Sequence, residues 1–582
     1  MEEEMKRVFE VTIIATICLI LLARTGLSLA EDANNEAMEA RLDELLDEWD
    51  KPNSPGFAFA VIRDGDIVYN RCVGMANLDY NIPITLSTVF DIASMAKQFT
   101  AACIVLLVEE GKISLDDDIR EYIPEFPDYG ATITISHLIH HTSGIRDYSE
   151  LMLMAGMSYE NIYEAQEIFD LIFRQRKLNF SQGEQHSYSN SGYILLGLIV
   201  ERVTGLSLSE YAAKHIFEPL GMGDTFIYDD RTRIIKNRAI GYTQGTGGGY
   251  RVEHWPNWTT PSGDGYLYTT VEDMLLWDRN LYDSKIGGPD FNTLMLTRGV
   301  LNNGDTIDYA FGLKAGTHRG LKTWRHSGGW AGFRSLIIRF PEQKVTAICL
   351  ANVTGIDQNK LCTKAAEIYL AGRAQMAEPV DEPAQRAEVS VDSAVYDDYV
   401  GEYELFPEFT LTISKEGDEL MVQATGQAPV AMSPESETEF FVEVVNARIS
   451  FDRDESGQVN QLTLHQGDQH LPAKRIESEP VAPLSADQLA EFAGEYYSDE
   501  LGVTYIVVFD KDHLRLDAPK VPEFAQSNFK DETGEDPLKH IEGDQFMRSC
   551  ATLSFKRDDQ DKITGFSLDV GSDSVGLEFI RR

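Results

Sequence analysis

Apolar and polar positions repeat with two different periods along this chain, and the change of period divides it. Between Glu36 and Trp49 the apolar residues Met38, Leu42, Leu45, Leu46 and Trp49 recur at helical spacing. The stretch "GFAFAVIRDGDIVYNRCVG" then reads as two strands turned at Asp64-Gly65, a dipeptide suited to the positive φ angles of a tight hairpin. "SMAKQFTAACIVLLVEEG" predicts a mostly buried helix closed by Gly111. Further on, "GFRSLIIRFPEQKVTAICLAN" predicts two more strands around Pro341-Glu342-Gln343. Helices mixed with hairpin-built, hence antiparallel, strands predict an α+β domain over residues 31–375.

A composition break follows. "MAEPVDEPAQRAEVSVDSA" (376–394) is rich in Pro, Ala and acids and has no apolar period, as expected of an exposed linker. Beyond it the period is two, in runs such as "FTLTISKEGDELMV", "ARISFDRDESGQVNQLTLH" and "ATLSFKRDDQDKITGFSLDV". Two blocks, 395–475 and 488–582, open alike with "YDDYVGEYE" and "LAEFAGEYY" and are separated by a second linker, 476–487. They are expected to be two copies of one small all-β domain, closed as barrels because closure removes exposed edges.

The N-terminus changes the expected location. Lys6 and Arg7 stand ahead of "VTIIATICLILLA", and Ser28 and Ala30 supply the small residues of a cleavage site, so residues 1–30 read as an export signal. The glutamates of "MEEEMKR" leave an uncleaved membrane anchor as the alternative, although the run is short for a span. The expected location is therefore periplasmic or secreted, with no stable membrane span after cleavage.

Charge excludes one class of partner. The 582 residues carry a net charge of −43, and residues 391–582 alone hold 16 Lys+Arg against 40 Asp+Glu. Such a field repels nucleic acid and anionic lipid and favours solubility. Of six cysteines, Cys18 lies in the signal, and Cys72, Cys103, Cys349, Cys362 and Cys550 are widely spaced with no CxxC. Buried free thiols are expected rather than a disulfide framework.

Candidate chemistry begins at "FDIASMAKQF", which sets Ser94 three residues before Lys97. On a helix these positions share a face, and an amine held against apolar neighbours can serve as a base. The plainer alternative is a serine that caps a helix and a solvated lysine, since S-x-x-K arises by chance about once or twice in a chain this long. Two later motifs alter that balance. Tyr188-Ser189-Asn190 stands directly before an apolar helix, and His326-Ser327-Gly328-Gly329 stands at the mouth of an expected strand. Other candidates are weaker. His137, His140 and His141 cluster imidazoles, but no H-E-x-x-H or partner cysteine accompanies them, so no metal or other cofactor is expected. Asp116, Asp117 and Asp118 read as a solvated turn or helix cap, "GTGGGY" as a loop, and Thr270–Asp273 as a helix start.

With S-x-x-K, Y-x-N and [KH]-x-G in this order, residues 36–375 resemble the class C β-lactamase-related serine hydrolases. That family includes penicillin-binding carboxypeptidases, esterases and D-aminopeptidases. "ITISHLIHHTSGI", "GDGYLYTTVEDMLLW" and "YAFGL" look like further family segments. The resemblance implies a β-lactamase/transpeptidase-like domain, an antiparallel sheet flanked by helices, followed by two lipocalin-like antiparallel barrels. It implies Ser94 as the acylated nucleophile, Lys97 as proton acceptor or relay, and Tyr188 as second base. Asn190 would bind Lys97 or the substrate amide, and His326 and Gly328 would orient substrate. The N–H groups of Ser94 and Gly329 would form the oxyanion hole, where one lost donor costs about 3 kcal/mol.

Histidine at 326 replaces the lysine of true β-lactamases, which removes a permanent charge that would meet a substrate carboxylate. Esters, amides or short peptides with a free N-terminus then fit better, and the three-domain layout looks like that of D-aminopeptidases. A DD-carboxypeptidase or esterase of the same family is one alternative. A ligand-binding protein with a vestigial hydrolase domain is the other. Oligomeric state is not legible in these residues.

Overall fold

The computed structural model describes residues 36–245, 247–253, 255, 263–371, 391, 393–406, 409–417, 419–424, 429–442, 447–454, 457–466, 469–476, 483–518, 537–548, 551–570 and 574–582. The expected signal (1–30), most of the first expected linker and half of the second, Cys18 and Cys550 lie outside the described residues. The described residues form two compact units, one drawn from within 1–115, 196–299 and 306–378, the other from within 116–195, 300–305 and 379–582.

The first unit is built on a six-stranded antiparallel sheet. Its strands are β1 (Phe57–Arg63), β2 (Asp66–Val73), β3 (Lys314–His318), β4 (Leu321–Trp330), β5 (Phe333–Phe340) and β6 (Val345–Ala351), in the order β3-β4-β5-β6-β1-β2. β1 and β6 are neighbours inside the sheet and are buried on both faces, which is why "FAFAVI" and "VTAICLA" run apolar without alternating. One face packs against a helix over 36–47 and the Gln358–Leu370 helix, through Leu42, Leu46, Leu361 and Tyr369 on Phe57, Phe59, Leu336 and Ile338. The other meets the Val271–Asp283 helix. There the buried Arg339 of β5 donates to Asp278 Oδ1 at 2.7 Å. The Asp64-Gly65 turn (φ 54° and 87°) and the Gly111 helix end (φ 67°) form as expected.

One alternative and one expectation give way. Ser94 does not cap the following helix: it lies in a 3-10 turn, Ala93–Ala96, that runs straight into the Lys97–Glu109 helix with no side-chain capping bond. His326 is not at a strand mouth but within ten-residue β4, because β5 pairs with β4 all the way to Trp330↔Phe333. Cys103, Cys349 and Cys362 are buried free thiols, and Cys72 is partly covered.

The second unit holds the short helices Ile135–Ile139, Tyr148–Met154 and Ala165–Phe173 together with the C-terminal β structure. Eight strands between Gly401 and Arg475 form a closed barrel, sealed where Tyr403 and Glu404 pair with Arg475 and Lys474. Its interior is filled by Tyr399, Tyr403, Leu420, Phe440, Phe451 and Leu462. Eight more strands, Gly494 to Arg581, form one curled sheet whose far ends meet in the Leu514–Leu538 bridge. The two barrels repeat in detail. Tyr403 OH donates to Tyr399 O at 2.8 Å and Tyr496 OH to Phe492 O at 2.7 Å, with Arg475 and Arg581 lying over those two tyrosine rings. Among the described residues no single helix is long and apolar enough to cross a membrane.

Candidate active site

In the first unit, the residue before Ser94 is strained. Ala93 has φ 48°, a left-handed conformation that costs a non-glycine residue on the order of 1 kcal/mol or more. Asp91 holds it there by accepting the Ala93 N–H at 2.8 Å. Burial raises the Asp91 carboxyl to about 7, with the nearby Asp264 adding to the rise and the Ala93 N–H opposing it. Ser94 Oγ then stands 3.2 Å from Lys97 Nζ, the i to i+3 relation expected from the motif. Lys97 is fully buried, and its amine is aimed by a 2.7 Å hydrogen bond to the carbonyl of Asp264. Thr100 donates to the neighbouring Gly263 carbonyl at 2.7 Å, so one helix face fixes both ends of that anchor.

β4 brings His326 and Gly328 to the same place. His326 Nδ1 is 2.7 Å from the Ser327 carbonyl, which can only accept, so Nδ1 carries the proton. Burial lowers the imidazole to about 3, and the ring is neutral at working pH. Its Nε2 is therefore an acceptor, and the Tyr309 hydroxyl donates to it at 3.0 Å. Gly328 has a steric reason. A Cβ there would lie 2.0 Å from the Ile92 carbonyl, the atom to which Ser335 Oγ donates at 2.7 Å. Only glycine lets β4 seat against the turn that carries Ser94. A Cβ at Gly329 would make ordinary contact with the Arg334 side chain, so space does not explain that glycine. β3 pairs with β4 only from Leu321 to Arg325, so the motif lies beyond the reach of that neighbour.

Tyr188 and Asn190 stand in the second unit. Asn190 opens the Asn190–Thr204 helix, and its N–H donates to Asp147 Oδ2 at 2.5 Å. Ser191 Oγ donates to the Arg146 carbonyl at 2.7 Å and accepts the Tyr148 N–H at 2.8 Å. The Ser189 N–H donates to His141 Nδ1 at 3.0 Å, and the His141 ring lies 4.3 Å from that of Tyr188. His137 instead caps its helix with Thr134, and His140 donates to the Ser136 carbonyl, so the three histidines serve different partners. Among the described residues no group of three His, Cys, Asp or Glu could hold a metal ion.

Residues 37–369 match the family model described as Beta-lactamase. The chain belongs to the beta-lactamase family. It is a serine hydrolase, with relatives among the penicillin-binding proteins and D-aminopeptidases. Residues 385–476 match a domain of unknown function (DUF3471). Penicillin-binding protein 4* of Bacillus subtilis (strain 168) is 31% identical over 408 residues, covering 66% of this chain and 88% of that protein. The D-aminopeptidase of Brucella anthropi is 25% identical over 535 residues, covering 88% of this chain and 93% of its own. Among solved structures, the octameric penicillin-binding protein homologue from Pyrococcus abyssi shares the fold, with TM-score 0.55 and 24% identity over 75% of this chain and 99% of that one.

In each unit the motif residues are held by side chains that the motifs alone did not mark. Tyr309 lay within "YAFGL" and His141 within "HHTSGI", segments visible in the sequence without an assigned role. Asp91 and Asp147 had no signal, because nothing local says which backbone N–H a carboxylate will accept.

Proposed function

We propose that this hydrolase is exported and works through an acyl-enzyme on Ser94, taking small esters, amides or short peptides in the manner of a D-aminopeptidase. The observation that carries the reading is the Ser94–Lys97 contact, 3.2 Å, with the amine wholly buried and oriented by the Asp264 carbonyl. Ser94 Oγ attacks the substrate carbonyl as its proton passes to Lys97, and the oxyanion is met by the N–H groups of Ser94 and Gly329. The leaving group takes that proton back from the base as the tetrahedral intermediate collapses, and water then attacks the acyl ester, breaking the Oγ–acyl bond, releasing the acid and returning a proton to Ser94 Oγ. Base duty in these steps is shared between Lys97 and Tyr188, with Asn190 orienting, an assignment that rests on the motif resemblance.

Neutral His326 bears on the substrate. It offers no positive charge to a terminal carboxylate, which favours amides and N-terminally free peptides over D-Ala-D-Ala ends and β-lactams. The likeness to a D-aminopeptidase along 88% of the chain points the same way. The binding-protein alternative gains nothing from the first barrel, whose interior is filled by aromatic and aliphatic side chains.

The test is covalent labelling with a fluorophosphonate, followed by peptide mapping and a substrate panel. An adduct on Ser94 that Ser94→Ala abolishes, with turnover of D-amino acid p-nitroanilides above nitrocefin and D-Ala-D-Ala peptide, is the expected result. A folded protein with no adduct and no turnover would sink the enzyme mechanism. Export predicts a mature protein beginning near Glu31 in the extracytoplasmic fraction.

A further inference from the structure

The C-terminal barrel buries a carboxylate that the chemistry above does not use. Glu500 sits in the turn between the Gly494–Ser498 and Val503–Asp510 strands and is 1% exposed. A charge so placed persists only with compensating partners. Its Oε1 accepts from Arg146 Nη1 at 2.7 Å and from the Arg176 N–H at 2.8 Å, and its Oε2 accepts the Glu578 N–H at 3.3 Å. Arg146, equally buried, also donates to the Val575 carbonyl at 2.5 Å and to Gln175 Oε1 at 2.7 Å. The barrel thus closes around this one guanidinium from the turn and from its last strand.

Arg146 is also where the Tyr188–Ser191 segment is tied down. Its carbonyl accepts from Ser191 Oγ, and the next residue, Asp147, accepts the Asn190 N–H. The guanidinium is set by the barrel, and the main chain beside it sets the motif. By contrast, the pairs Arg176–Asp499 and Lys177–Glu578 of the same contact are open or partly open to solvent and touch nothing in the motif. Tyr505, whose hydroxyl donates to the Met154 carbonyl at 2.9 Å, joins the same surfaces away from Arg146.

We propose that Glu500 is a positioning residue for the Tyr188-Ser189-Asn190 segment, acting through Arg146 and Asp147, so that the C-terminal barrel belongs to the catalytic scaffold. This rests on the hydrolase mechanism proposed above for its kinetic consequence, though not for its structural one.

The experiment uses the full chain with Glu500→Gln, Glu500→Asp and the interface control Tyr505→Phe. Steady-state kinetics on a p-nitrophenyl ester are measured beside hydrogen exchange of the 187–191 peptide, which needs no substrate. Glu500→Gln is expected to lower kcat about 30-fold, since small displacements of catalytic groups have effects of this size. KM should stay within about 3-fold of wild type, because the loss falls on the transition state. Exchange over 187–191 should quicken in Glu500→Gln, partly recover in Glu500→Asp and stay unchanged in Tyr505→Phe. Wild-type kcat and exchange in a folded Glu500→Gln protein overturn the proposal, as does an equal change in Tyr505→Phe. Should Glu500→Gln not fold, Glu500→Asp decides by the same two readouts. An inactive wild-type protein that Ser94 reagents do not label contradicts the mechanism instead, and exchange still decides the positioning role.

Discussion

Around Ser94 the fixing contacts are short in sequence or end on main-chain atoms. Asp91 reaches Ala93 two residues away, Lys97 reaches Ser94 over three, and the long reaches, from Lys97 to Asp264 and from Ser335 to Ile92, end on carbonyls. Around Tyr188 most of the weight is carried by side chains distant in sequence. His141 and Asp147 lie 48 and 43 residues from the groups they hold, and Arg146 meets Glu500 across 354. A carbonyl anchor survives most substitutions of the residue that supplies it. A charge anchor fails when either partner changes, because the survivor is left buried and uncompensated. The Ser94 and Tyr188 segments should therefore differ in how mutation reaches them.

The largest effect is expected at the local anchor itself. Lys97→Met should keep the fold and lower kcat about 10³-fold, the range for losing a positioned proton acceptor. Retention of a tenth or more of wild-type kcat would place the base elsewhere. The distant anchor should break differently. Arg146→Met leaves the Glu500 carboxylate buried without its cation and should lose about 3–5 kcal/mol of stability in a denaturant titration. The paired Arg146→Met/Glu500→Leu variant, which buries no charge, should recover most of that. If the single and paired variants melt alike, the pair's charge is not what holds this contact.

The same contrast explains what the sequence disclosed. The hairpin at Asp64-Gly65, the apolar Lys97–Glu109 helix and the tandem "GEY" openings depend on neighbours within a few residues, so periodicity and turn chemistry revealed them. Ser94, Lys97 and His326 were visible as spaced motifs. The strained Ala93, the Tyr309 hydroxyl that donates to His326 Nε2 and the seat of Gly328 on Ile92 were not, because each needs two segments brought together. Ser94 as a helix cap was plausible from spacing and gave way because the chain enters the helix through a 3-10 turn. Glu500 was one acid among 94 Asp+Glu, and only the fold shows it buried against Arg146.

Asp91 offers the finest probe of the comparison, since it is the one buried carboxylate among the Ser94 anchors described above. Its folded value of about 7 lies above the ordinary value near 4, so the folded chain keeps a proton that the unfolded chain has already released between those limits. Stability contributed by that proton is full below about pH 4 and is lost as pH rises to about 7. An asparagine in its place would still accept the Ala93 N–H but has no proton to lose. Asp91→Asn should therefore melt like wild type near pH 4.5 and gain on the order of 2 kcal/mol over it near pH 8. A difference that does not change between those conditions would mean that Asp91 is already ionised in the fold. The strain at Ala93 would then rest on a charged anchor, and the anchoring of the Ser94 and Tyr188 segments would be alike after all.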